Sequence, residues 1–268
     1  MDALNTDKIL ICGIPIDSVT MDEAILRIGQ LIDERKPAYV VTPNVDVIVK
    51  LQKDSEFKLI YEKASLVLAD GMPLLWAGMF LGTPFKAKVS GSDLFIELCV
   101  ASAKKGYKIF LLGAKPTVAE KASLLLRQKY PNLKIVGTYS PSFGFEKNEK
   151  ESAEIVKIIR EQKPDIIFVG VGSPKQEKWI SSYMDRYNVP VSIGVGISFD
   201  FVAGTVKRAP KIMQKTGLEW LWRLFNEPGR LWKRYLLDDP VFFWLLLRQK
   251  LKNRRHNEKK SQCDFRKE

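Results

Sequence analysis

The chain has 268 residues, of which 46% are hydrophobic and 28% charged, enough to bury a sizeable core and too apolar for global disorder. Its formal net charge of +12 is uneven, because residues 205–268 carry 17 Lys/Arg against 7 Asp/Glu. Three scattered cysteines, Cys12, Cys99 and Cys263, form no metal-ligand pair, and the longest apolar run, residues 241–247, falls far short of the roughly 20 residues that span a bilayer as a helix.

Residues 8–17 read as a short strand, a bend and a second strand. Asp22, Glu23 and Ala24 open an amphipathic helix that carries Ile25, Ile28, Leu31 and Ile32 at helical spacing. Residues 38–41 form the next strand, which stops at Thr42-Pro43-Asn44, with Asn44 placed to cap a helix from Val45. The run Leu66-Val67-Leu68-Ala69 then reads as a central strand that delivers Asp70 to its C-terminal end, before Gly71 and a helix opened by Pro73. Ligands of open α/β sheets bind at that edge. Asp-Gly is also a common turn pair, so turn formation and catalysis both fit Asp70.

Lys88-Val89-Ser90-Gly91 leads into a helix from Ser92 or Asp93. Strands at 108–113, 134–139, 165–170 and 191–195 then alternate with helices at 116–129, 147–162 and 174–187. This alternation predicts an α/β fold with a Rossmann-like, mainly parallel sheet flanked by helices. Gly172-Ser173-Pro174-Lys175-Gln176 joins a strand end to a helix start; Ser173 as cap, Pro174 at the first position and Gln176 at the third would make a capping box. The same geometry offers free N–H groups and a lysine to an anionic or sugar ligand.

The composition changes after Gly204. Residues 1–204 read as the core, and residues 205–268 as a helical, basic appendage holding four of the six tryptophans. Within it Arg223, Arg230 and Arg234 offer guanidinium forks for phosphate. Asp239 before Pro240 is placed to cap a further helix. Phe242, Phe243 and Trp244, followed by Arg248 and Lys252, suit the interface of an anionic membrane, although a packed terminal helix or a dimer contact has the same pattern. The stretch from Asn253 onward reads as frayed.

The single histidine, His256, lies in that tail, which leaves no basis for a Ser-His-Asp triad or a histidine metal site. No Asp-x-Asp pair, P-loop or Gly-x-Gly-x-x-Gly fingerprint is present, so no metal and no cofactor is expected. A diphosphate leaving group would then need cationic side chains.

Several motifs coincide in order: Thr42-Pro43-Asn44, Ala69-Asp70-Gly71, Val89-Ser90-Gly91-Ser92-Asp93-Leu94, Gly170-Val171-Gly172-Ser173-Pro174-Lys175-Gln176-Glu177, Gly194-Val195-Gly196 with Phe199-Asp200, and Lys207-Arg208-Ala209-Pro210 followed by Gly217-Leu218-Glu219-Trp220-Leu221. Together they resemble the WecG/TagA/CpsF family of bacterial glycosyltransferases over essentially residues 9–235. The resemblance implies metal-independent, inverting transfer from a UDP-sugar, often UDP-N-acetylmannosamine, to a polyprenyl-diphosphate-linked saccharide in cell-surface polymer synthesis. It implies a cytoplasmic enzyme brought to the inner membrane face by its appendage. By motif position Asp70 would be the general base, Thr42, Asn44 and Gln176 would line the sugar pocket, and Arg223, Arg230 and Arg234 would approach the diphosphate. Lys88 stands where the family commonly has arginine, keeping the charge without the bidentate fork.

Two other function classes fit parts of the chain: a nicotinamide-type Rossmann oxidoreductase, disfavoured by the missing glycine fingerprint, and a nucleic-acid-binding module using the basic tail. The expected partners are the UDP-sugar, the lipid-linked acceptor and a membrane surface, without nucleic acid, and with a homo-oligomer left open.

Overall fold

The computed structural model describes residues 7–264; the side chains of Arg230 and of residues 256–264 lie outside that description. A hairpin of β1 (Lys8–Ile11) and β2 (Ile14–Asp17) precedes α1 (Met21–Glu34). Thr20 and Glu23 close a reciprocal capping box at the start of α1. The chain continues through β3 (Ala38–Val41), α2 (Val45–Leu51), α3 (Ser55–Glu62), β4 (Leu66–Val67), α4 (Met72–Leu81) and α5 (Gly91–Lys105). Next come β5 (Lys108–Gly113), α6 (Val118–Lys129), β6 (Lys134–Tyr139), α7 (Glu149–Gln162), β7 (Ile166–Gly170), α8 (Lys175–Tyr187), β8 (Val191–Gly194) and α9 (Ser198–Ala203).

Strands β3 to β8 form one parallel sheet in the order β4-β3-β8-β7-β5-β6. Their side chains alternate between two cores, as the period of a strand requires. Val41, Val67, Phe110, Leu112, Ile167 and Val169 pack on one face, beneath α2, α3, α7 and α8. Val40, Leu66, Ile109, Leu111, Ile166, Phe168 and Ile193 pack on the other, beneath α1, α5, α6 and α9. Burial on both faces explains why these strands read as continuous apolar runs.

β4 is not a central strand. It is two residues long and ends the six-strand order. Its outer side is not bare, because β2 touches it through a parallel bridge between Asp17 and Leu68. The buried Asp17 carboxylate accepts from Val67 N at 2.8 Å.

After Gly204 the described chain forms no further strand. It runs through α10 (Lys211–Lys215), α11 (Glu219–Asn226), α12 (Pro228–Lys233), a π-helical turn at Arg234–Asp238 and α13 (Val241–Asp264). α13 continues helically past Asn253, where a frayed end was expected. Gln249 anchors it to the hairpin: its side-chain oxygen accepts from Cys12 N at 2.6 Å and its amide donates to Leu10 O at 2.7 Å.

Candidate functional site

In a parallel sheet the C-terminal strand ends share one edge, and here they collect most of the residues singled out above. β3 exits toward the α2 face, β8 toward the α9 face and β7 toward the α8 face. The chain thus leaves β8 toward the face opposite to the one taken after β3 and β7, the kind of topological switch at which open α/β sheets bind ligands. Thr42 and Asn44 follow β3, Asp70 follows β4, Gly194-Val195-Gly196 spans the end of β8, and Gly170-Val171-Gly172 spans that of β7. From β4 to β7 is three strand spacings, about 14 Å, so one extended ligand can reach from Asp70 to the glycine loops.

Asp70 is held by its backbone, with its N–H donating to Pro43 O at 3.0 Å, while Val89 N donates to Ala69 O at 2.9 Å. Gly71 takes φ +102°, a conformation open to glycine, and lets the chain turn at once into α4. Gly91 opens α5 beside Asp70 and donates its N–H to the carboxylate. A side chain at Gly91 would meet Thr42 Oγ1 at 2.9 Å, so glycine is what allows α5 to sit this close. Burial pushes the Asp70 carboxyl from its ordinary 3.8 up to about 7, and the Glu219 carboxylate adds to the rise, while Lys88 opposes it.

Asn44 caps α2 as expected, its side chain accepting from Val47 N at 3.2 Å. Arg234 returns from the appendage to the same place, with one guanidinium nitrogen 3.4 Å from Asn44 Oδ1 and another 3.6 Å from Asp46. Asp239 lies on its other side at 3.9 Å; burial raises that carboxyl to about 6 despite Arg234. Arg223 is half-buried on α11 and, with Arg234, faces the Tyr235 hydroxyl. Arg230 is on α12, and its side chain lies outside the described residues.

The capping box at Ser173 does not form. α8 begins at Lys175 with Pro174 at the cap position and no side-chain cap bond. Gln176 turns inward instead, accepting from Gly172 N at 3.2 Å and Gly196 N at 3.0 Å and donating to Glu177 at 3.0 Å. One carboxamide thus ties the β7 and β8 loops together. Gly194 leaves room for it, since a Cβ there would lie 2.5 Å from Gln176 Nε2. Glu177 is buried behind it, and burial raises its carboxyl above the usual range.

Two charged residues belong to the site without having been assigned a role from the sequence. Arg208 binds Asp93 at 2.7 Å. Burial alone would raise the Asp93 carboxyl, but the hydrogen bonds from Arg208 and Ser90 outweigh it and hold Asp93 below its ordinary value. Glu219 faces both Asp70 and Arg208. Their signal was their place in the Lys207-Arg208-Ala209-Pro210 and Gly217-Leu218-Glu219-Trp220 motifs, whose spacing alone does not say what they face. Among the described residues no group of three His, Cys, Asp or Glu converges as a metal-ligand set.

The apolar segment of α13 divides by helical period. Phe242 and Leu246 are buried in the core, so Phe242 is not part of any exposed membrane-binding face. Phe243 and Trp244 are exposed, as are Leu247 and Leu251, and Arg248 sits 5.6 Å above the Trp244 ring. Lys252 is exposed on the same helix. Lys250 reaches across to the Phe80 carbonyl and ring of α4, whose Trp76, Met79 and Phe80 are also exposed. Among the described residues no helix is long and apolar enough to cross a membrane.

Residues 9–256 match the glycosyl transferase WecG/TagA/CpsF family. Relatives from Staphylococcus aureus strains MW2 and NCTC 8325 / PS 47 are 32% identical over 252 residues, covering 92% of this chain and 95% of theirs. Both are named N-acetylglucosaminyldiphosphoundecaprenol N-acetyl-beta-D-mannosaminyltransferase.

Proposed function

The chain belongs to the WecG/TagA/CpsF family of glycosyl transferases, and from that premise we propose that it transfers a sugar, with inversion, from a UDP-sugar to a polyprenyl-diphosphate-linked saccharide. The relatives' name joins an N-acetylmannosaminyl group to a lipid-diphosphate N-acetylglucosamine. We take N-acetylmannosamine or a related hexose as the donor sugar and a lipid-linked N-acetylglucosamine as the acceptor. Family membership sets aside the oxidoreductase and nucleic-acid readings.

The observation that carries the reading is Asp70, a carboxylate at the sheet edge whose surroundings raise its basicity to about 7. A base poised near operating pH is what deprotonation of a sugar hydroxyl requires. In the proposed step the acceptor hydroxyl gives its proton to Asp70 as its oxygen attacks the anomeric carbon of the donor. The bond from that carbon to the diphosphate oxygen breaks, and UDP leaves with the electron pair.

The leaving diphosphate is assigned to Lys88 and to Arg223, Arg230 and Arg234, cations doing the work that a bridging metal does elsewhere. Thr42 and Asn44 border the sugar, and Gln176 shapes its pocket through the loops at Gly172 and Gly196. Residues 1–204 serve as the catalytic core and residues 205–268 as the membrane-associating appendage. Phe243, Trp244, Arg248 and Lys252 face the inner leaflet, which keeps the enzyme peripheral and cytoplasmic.

The test is a transfer assay with radiolabelled UDP-sugars and a lipid-diphosphate N-acetylglucosamine acceptor. Label moving into the lipid fraction with equimolar UDP release is the expected result. No transfer from any UDP-sugar overturns the reading.

A further inference from the structure

Helix α4 has 10 residues and no polar side chain among them. A helix that is apolar all round is ordinarily buried all round. This one buries Leu74, Ala77 and Gly78 but leaves Trp76, Met79 and Phe80 exposed. Those three stand at i, i+3 and i+4, so they share one face. Met72, two residues past Asp70, opens the helix at the sheet edge, and Phe80 follows about 12 Å further along its axis. There α4 meets α13. Lys250 donates to the Phe80 carbonyl and lies 5.3 Å from the centre of its ring. Leu247 and Leu251 flank Lys250 and are exposed, while Phe242 and Leu246 turn to the core and Gln249 to the hairpin. An exposed apolar strip thus continues from Met79 and Phe80 onto Leu247 and Leu251, with a cation where the two helices meet.

We propose that this strip seats the polyprenyl chain of the acceptor, with Lys250 meeting its diphosphate. This rests on the acceptor reading given above. In such an acceptor a saccharide and a diphosphate separate the attacked hydroxyl from the first isoprene unit. With the hydroxyl at Asp70, the saccharide passes Trp76 along α4, the diphosphate reaches Lys250, and the hydrocarbon starts on Met79 and Phe80. An isoprenoid offers no hydrogen bonds, which accounts for a helix without a polar side chain beside a polar site. The strip is distinct from the face assigned to the bilayer, because Trp244 and Arg248 lie roughly 120° or more round α13 from Lys250.

The test is photo-crosslinking of the full chain with a polyprenyl-diphosphate N-acetylglucosamine that carries a benzophenone in its isoprenoid, followed by peptide mapping. It needs no donor and no turnover, so its failure is distinct from failure of the transfer assay. Label is expected on residues 76–80 and 247–251, displaced by the unmodified lipid-linked sugar and not by phosphatidylglycerol vesicles. Met79→Gln with Phe80→Gln places a good helix former at two exposed positions. This double variant should bind the long-chain acceptor about tenfold or more weakly. Its binding of N-acetylglucosamine diphosphate without the chain, and its co-sedimentation with phosphatidylglycerol vesicles, should match the wild type. Label on other segments, label displaced equally by the vesicles, or wild-type affinity of the double variant for the long chain overturns the proposal. Loss of vesicle co-sedimentation in that variant overturns it too, since the strip would then be a bilayer contact.

Discussion

A guanidinium nitrogen of Arg234 lies 3.4 Å from Oδ1 of Asn44, 190 residues earlier in the chain. That oxygen also caps α2, so one side chain serves the core helix and docks the appendage. Asn44→Ala should lose the cap, worth about 1 kcal/mol, and also weaken appendage docking. Asn44→Asp should keep the cap and strengthen the hold on Arg234. Thermal unfolding of both variants, with and without Arg234→Ala, measures the coupling; additive effects would mean that the contact contributes nothing.

The raised carboxyl of Asp70 makes a stability prediction of definite sign. The folded chain holds this proton more tightly than the unfolded chain does, so the penalty for ionising it is absent below pH 4 and fully present above about 7. Asp70→Asn should therefore raise Tm at pH 8 while leaving it nearly unchanged at pH 4. An equal effect at both values would mean that burial does not perturb the group.

Gln176 should act through the loops it ties. Gln176→Leu leaves the N–H groups of Gly172 and Gly196 without their acceptor, a loss of about 1–3 kcal/mol for each one left buried. Lower stability and an increase in donor KM exceeding the loss in kcat are expected, measured by unfolding and steady-state kinetics. Gly194→Ala, which drives a methyl into the same carboxamide, should reproduce the pattern.

On α13, adjacent phenylalanines should behave in opposite ways. Phe242→Ala empties a core site and should cost about 3–5 kcal/mol. Phe243→Ser with Trp244→Ser touches only exposed rings and should leave Tm in place while reducing co-sedimentation with anionic liposomes. Unchanged liposome binding would remove α13 from the membrane interface.

The parallel sheet and its two-faced core were legible because each strand is an apolar run between helices of clear period. The rank of β4 in the sheet was not, since Leu66-Val67-Leu68-Ala69 looks the same with a neighbouring strand on each side or with a hairpin covering one. Ser173-Pro174-Lys175-Gln176 carried a sound local signature of a cap, which lost to two backbone donors from different loops. Asp70 could be picked out as a strand-end carboxylate, but Arg208 and Glu219 could not be placed beside it. Their contacts join segments more than a hundred residues apart, which local periodicity does not encode. The apolar run at 241–247 hid its own division into an inward face at Phe242 and an outward one at Phe243 and Trp244.

The central claim is that Asp70 removes the acceptor proton, and single-turnover transfer by Asp70→Asn, beside a donor-binding measurement on the same protein, tests it most directly. Asparagine keeps the shape and can still accept from Gly91, so donor affinity should be retained while the transfer rate falls by about a hundredfold or more. Transfer at the wild-type rate by Asp70→Asn would contradict the account.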